Sequence, residues 1–86
     1  ESGMKVSCYP NPFADLATIS FEIGESSEVS IQLYDLQGHK INETHRSLFP
    51  AGTNEVKLRR NALQPGLYIL KVTSSHSERN IKIIIN

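Results

Sequence analysis

Apolar residues recur at every second position through most of this chain, the rhythm of half-buried β-strands. Met4, Val6 and Cys8 alternate with Lys5 and Ser7, predicting a short first strand at a sheet edge. Ala17, Ile19, Phe21 and Ile23 alternate with Thr18, Ser20 and Glu22; Val29, Ile31 and Leu33 alternate with Ser30, Gln32 and Tyr34. A weak polar strand is expected from His39 to about Thr44, with Ile41 its main apolar residue. Residues 46–52 read as a loop with Leu48 and Phe49 tucked inward, and Glu55-Val56-Lys57-Leu58 alternates again. The chain is organised around the stretch that follows Pro65-Gly66. There Tyr68, Leu70 and Val72 share one face, and Leu67, Ile69, Lys71 and Thr73 the other. Two mostly apolar faces predict an interior strand with a neighbour on each edge. A last strand carries Ile81, Ile83 and Ile85 on one face, with Lys82 and Ile84 opposite.

Proline and glycine punctuate these runs. Pro65 fixes its own φ and Gly66 reaches angles other residues avoid, so the pair makes a sharp entry turn. In Tyr9-Pro10-Asn11-Pro12-Phe13 two prolines remove two donors and hold Tyr9 and Asn11 extended. That segment cannot be a central strand, and Tyr9 and Phe13 are expected to fold over one end of the core. Gly24-Glu25-Ser26-Ser27, Asp35-Leu36-Gln37-Gly38 and Ser74-Ser75-His76-Ser77 read as turns. Arg59 to Gln64 is a connector with room for one helical turn. The pattern predicts an all-β fold, an immunoglobulin-like antiparallel β-sandwich of about seven strands. It lacks the Cys-Trp-Cys core of antibody domains, having one cysteine and no tryptophan. Residues 4–86 are read as one domain, a module of a longer protein that begins upstream, with residues 1–3 as a linker or expression remnant.

Composition narrows the function classes. A chain of 86 residues buries only about 60–65% of its unfolded surface, leaving little room for an enclosed active site. Nine basic and nine acidic residues cancel, which argues against a general electrostatic grip on nucleic acid or anionic lipid. Cys8 is a lone cysteine, so an internal disulfide and a cysteine zinc cage are excluded. No run approaches the ~18–20 apolar residues of a membrane-spanning helix. His39, His45 and His76 lack metal-ligand spacing, and no Gly-x-Ser-x-Gly elbow or phosphate loop occurs. Asn42-Glu43-Thr44 fits a glycosylation sequon, and Arg59-Arg60 is a pair rather than a basic patch. The residues therefore offer no catalytic, cofactor or metal site.

The order of motifs is more informative than any one of them. Tyr9-Pro10-Asn11-Pro12-Phe13 is followed by Thr18-Ile19-Ser20-Phe21 and then by Val29 to Gly38, which contains Tyr34-Asp35-Leu36-Gln37-Gly38. Pro50-Ala51-Gly52, then Leu63-Gln64-Pro65-Gly66-Leu67-Tyr68, then a short apolar strand complete the series. From about Cys8 to Asn86 this resembles the type A C-terminal sorting domain of the type IX (Por) secretion system of Bacteroidetes. The resemblance implies an address rather than a chemistry. It implies a non-catalytic domain that directs a larger upstream cargo across the outer membrane to the cell surface or medium. Its implied partners are the outer-membrane translocon and a sortase-like peptidase. Carried over by position, Pro65, Gly66 and Tyr68, together with the tail Lys82, Ile83, Ile84, Ile85 and Asn86, form the expected recognition region. His39 and Asn86 depart from the family pattern, each standing where a basic residue is common. The tail strand, Arg79 to Asn86, is expected to offer its outer edge for strand addition. A second reading is an accessory module of a surface enzyme or adhesin that binds glycan or protein, for which Tyr9, Tyr34 and Phe49 are the available aromatics.

Overall fold

A computed structural model describes residues 4–86, apart from the side chains of residues 42–44. The expected linker at residues 1–3 and the side chains of the sequon lie outside the described residues. The strands are β1 (Lys5–Tyr9), β2 (Leu16–Ile23), β3 (Ser27–Tyr34), β4 (Lys40–Phe49), β5 (Gly52–Arg59), β6 (Gly66–Thr73) and β7 (Glu78–Ile85). They form two antiparallel sheets, β1-β2-β5 and β4-β3-β6-β7. This is the expected immunoglobulin-like sandwich. Relative to the constant-type arrangement, the fourth strand lies beside the third rather than on the opposite sheet. The short β3–β4 turn explains this. Asp35 Oδ1 accepts from the amides of Gln37 (3.0 Å) and His39 (2.9 Å), and Gly38 adopts φ 89°. So tight a hairpin cannot cross the ~10 Å between packed sheets.

The alternation read from the sequence becomes the core. Ala17, Ile19, Phe21, Ile23 and Leu58 from one sheet meet Val29, Ile31, Leu33, Leu70, Val72, Ile83 and Ile85 from the other, all buried. Met4 and Phe13 close the sides. As expected, β6 lies between β3 and β7. Its second apolar face is not covered, however. In a two-layer sandwich each sheet has one solvent face, so Leu67 and Ile69 are only half-buried.

Three expectations are corrected. Residues 46–49 continue β4 instead of forming a loop, pairing with Ser27–Ser30. Alternation within this strand turns Leu48 outward, 71% exposed, while Phe49 packs edge-to-face on Phe21 at 5.0 Å. Ile41 is also exposed, at a register break in β4. The connector after β5 contains no helix. It is a turn in which the Leu63 amide donates to the Arg60 carbonyl, and Asn61 at φ 54° stops helical propagation.

Candidate functional site

The predicted recognition residues lie side by side because β6 and β7 are antiparallel: Gly66 faces Ile85, Leu67 faces Ile84 and Tyr68 faces Ile83. Pro65, Gly66, Lys82, Ile84 and Asn86 are exposed, whereas Ile83 and Ile85 are core residues. Tyr68 is 8% exposed and donates its hydroxyl to the Gln64 carbonyl at 2.7 Å. This is the tyrosine corner of immunoglobulin-like sandwiches, in which a buried ring pins the incoming connection. Tyr68 therefore braces the Pro65–Gly66 turn and contributes little surface.

The outer edge of β7 differs from the expectation of a free strand. From Lys82 to Asn86 it is occupied by the segment after β1. The Phe13 amide donates to the Ile84 carbonyl (3.0 Å) and the Asn86 amide to the Phe13 carbonyl (2.9 Å), in a parallel bridge. Between the two prolines, the Asn11 side chain replaces a missing peptide group. Its Oδ1 accepts from the Ile84 amide (2.9 Å) and its Nδ2 donates to the Lys82 carbonyl (3.1 Å). Phe13 anchors this strap in the core at 1% exposed. Strand addition along Lys82–Asn86 is thus already satisfied within the molecule. Tyr9 does not fold over the core as expected. It is 46% exposed on the opposite sheet and donates to Glu55 Oε2 at 3.0 Å, which pushes its phenol pKa up.

Arg60 completes this end of the sandwich. Its Nη1 donates to the Asn86 main-chain oxygen (2.6 Å) and reaches the Ala14 carbonyl (3.4 Å), while Nε donates to the Leu63 carbonyl (3.0 Å). One guanidinium thereby ties the tail, the β1–β2 connection and the β5–β6 connection. Sequence reading missed Asn11 and Arg60. Asking where the donors lost to Pro10 and Pro12 are replaced would have pointed to Asn11. Arg60 had no comparable local signal.

The opposite end offers a cleft of about 470 Å³ lined by Met4, Ile23, Glu25, Ser27, Ser75 and His76 among others. Its polar groups serve one another. Ser27 Oγ lies 3.0 Å from Ser75 Oγ and accepts from the Ser75 amide, while the exposed His76 Nε2 lies 2.8 Å from Glu25 Oε2. Nothing in these contacts activates a serine. Among the described residues no group of His, Cys, Asp and Glu is arranged to hold a metal ion, and burial pushes the Cys8 thiol pKa up. The aromatics do not make a common glycan platform either. Tyr9 and Tyr34 face solvent from different sheets, and Phe49 is packed on Phe21.

Comparisons with known proteins agree with this architecture. The crystal structure of dimeric latent PorU from Porphyromonas gingivalis matches with a TM-score of 0.76 at 18% identity, over 95% of this chain. This chain spans only 9% of that one, and at such identity the likeness shows the fold. No curated protein matches the sequence. The family model for the secretion system C-terminal sorting domain matches residues 7–86, from within β1 through the tail. The chain therefore belongs to the C-terminal sorting domain family, the sorting signal of type IX secretion.

Proposed function

We propose that this domain is the non-catalytic address of a cargo joined upstream of it. An outer-membrane translocon reads the address on arrival from the periplasm, a sortase-like peptidase removes it, and the cargo reaches the cell surface or medium. The reading end comprises the turn at Pro65 and Gly66, braced by Tyr68, and the tail from Lys82 through Ile83, Ile84 and Ile85 to Asn86. One observation carries this reading. The tail is fixed by β6, by the strap and by Arg60 at the end of the sandwich away from Met4. A cargo attached near Met4 would leave that end uncovered. A sorting address needs such a fixed, accessible surface and no reaction centre.

The test is a reporter fused to this domain in a bacterium with type IX secretion, compared with the reporter fused to an unrelated immunoglobulin-like sandwich of similar size. Surface delivery of the first alone is expected. Equal retention of both in the periplasm overturns the reading.

A further inference from the structure

Two separate segments make up the expected recognition region, the Pro65–Gly66 turn and the tail that runs to Asn86. The β6–β7 ladder sets them side by side only as far as Ile85, which faces Gly66. Pro65 and Asn86 both lie beyond the strand ends. What fixes these two ends relative to each other is a separate set of hydrogen bonds, and Arg60 takes part in most of them.

On the turn side, two consecutive carbonyls are held. That of Leu63 accepts from Arg60 Nε at 3.0 Å, and that of Gln64 from the Tyr68 hydroxyl at 2.7 Å. The Leu63 amide donates back to the Arg60 carbonyl at 3.1 Å, so residue 60 closes this turn with both main chain and side chain. On the tail side, three consecutive carbonyls of the β1–β2 connection serve as the mount. The Phe13 carbonyl accepts the Asn86 amide (2.9 Å), that of Ala14 accepts Arg60 Nη1 (3.4 Å) and that of Asp15 accepts the Arg60 amide (2.9 Å). Nη1 also donates to the Asn86 main-chain oxygen at 2.6 Å. A guanidinium presents its donors in a planar, fixed fork, so Nε and Nη1 hold Leu63 and Asn86 at a set offset. The side chain's acceptors are all main-chain oxygens, and Arg60 itself is half-buried, outside the hydrophobic core.

Resting on the sorting reading, we propose that Arg60 is a positioning residue for recognition by the export machinery. It acts through the two segments it ties, not by touching the partner. It sets the spacing between the Pro65–Gly66 turn and Asn86, so that one partner surface meets both at once. The core of alternating strands forms without it. Its loss leaves the sandwich folded and lets the turn and the tail shift against each other. Looseness of about 1 Å is enough to spoil a contact made at several points. Lysine is no substitute, because one ammonium on a flexible stem keeps the charge but not the fork that spans Leu63 and Asn86.

The test uses the reporter fusion that the wild-type domain delivers. Ile19→Val and Val29→Ala trim fully buried residues, one in each sheet, and give a reference series of surface delivery against thermal midpoint. Arg60→Gln and Arg60→Lys are each expected to deliver about tenfold less, or lower still, than this series does at the same midpoint. In the 86-residue chain itself, the amide order parameter of Asn86 is expected to fall in both variants, while those of Ile31 and Leu33 stay unchanged. Delivery on the reference line would mean that Arg60 serves stability alone, which overturns the proposal. Failure of both variants to fold overturns it too, as does an unaltered Asn86 order parameter. Wild-type delivery by Arg60→Lys overturns it in favour of a direct charge contact. Each of these outcomes leaves the sorting reading standing, whereas retention of the wild-type fusion in the periplasm removes both.

Discussion

The edges of the four-stranded sheet, β4 and β7, are finished in opposite ways. β4 is polar and irregular. Its register shifts twice against β3, Lys40 and Arg46 stand along it, and its His45 Nε2 meets the Lys57 carbonyl of β5 at 3.2 Å. β7 is aliphatic and regular, with Ile81, Ile83, Ile84 and Ile85 in one short run. Such a run, left open, is a template for pairing with other chains. An edge of poor β-sequence is made unattractive by bulges and charge, whereas an edge of strong β-sequence must be filled. The strap from Asn11 to Phe13 fills it, using an asparagine amide where proline has removed the peptide donor.

The sharpest way to break the contrast is Phe13→Ala. It removes the strap's buried anchor and should cost about 3–5 kcal/mol, read from chemical denaturation. A loss below about 1 kcal/mol would mean that the strap lies on β7 without holding it. Asn11→Ala is gentler, because the freed Ile84 amide and Lys82 carbonyl can reach water. About 1–2 kcal/mol is expected, with hydrogen exchange quickened at the Ile84 amide and unchanged in β3. Unaltered exchange at Ile84 would contradict the strap's role.

The β4 side is sharpened by pH. The backbone amide of His39, the His39 ring and the Gln37 amide all stabilise the ionised Asp35, holding its pKa below the usual carboxylate range. A folded pKa lying below the unfolded value contributes stability above about pH 4, which is lost as pH falls through the depressed folded pKa. The amide resonances of Gln37 and His39 should therefore titrate with a midpoint more acidic than that of an ordinary aspartate. A midpoint at or above the ordinary value would refute this account of the hairpin. The smallest effect is expected from Leu48→Lys on exposed β4, within about 0.5 kcal/mol of the parent by the same denaturation assay.

Alternation made most of the sandwich readable. Ala17 to Ile23 and Val29 to Leu33 were legible because burial on one face leaves its mark on every second residue. β4 was legible only in its first half. Its inward residues beyond Thr44 are mostly polar, and the adjacent Leu48 and Phe49 imitate an inward-turned loop while pointing in opposite directions. Tyr9 and Phe13 look equivalent around the prolines, yet only Phe13 crosses to the second sheet; Tyr9 is still paired in β1. The apolar second face of β6 correctly indicated two flanking strands, but periodicity does not say whether that face meets a third layer. The residues expected to serve in recognition are placed together by hairpin geometry, which sequence order anticipates. Asn11 and Arg60 act across long separations, and no local pattern encodes that.

Those long separations carry a consequence for synthesis. Asn11 meets Ile84 across 73 positions, and Arg79 Nε donates to the Met4 carbonyl across 75. The first strand emerges from the ribosome long before the partner that completes its side of the shell. Folding to the finished shape must wait for the last isoleucines. A copy of the protein cut short by a premature stop would lack the closing strand and could not assemble the tail end of the sandwich. The address thus doubles as proof that translation of this module reached its tail.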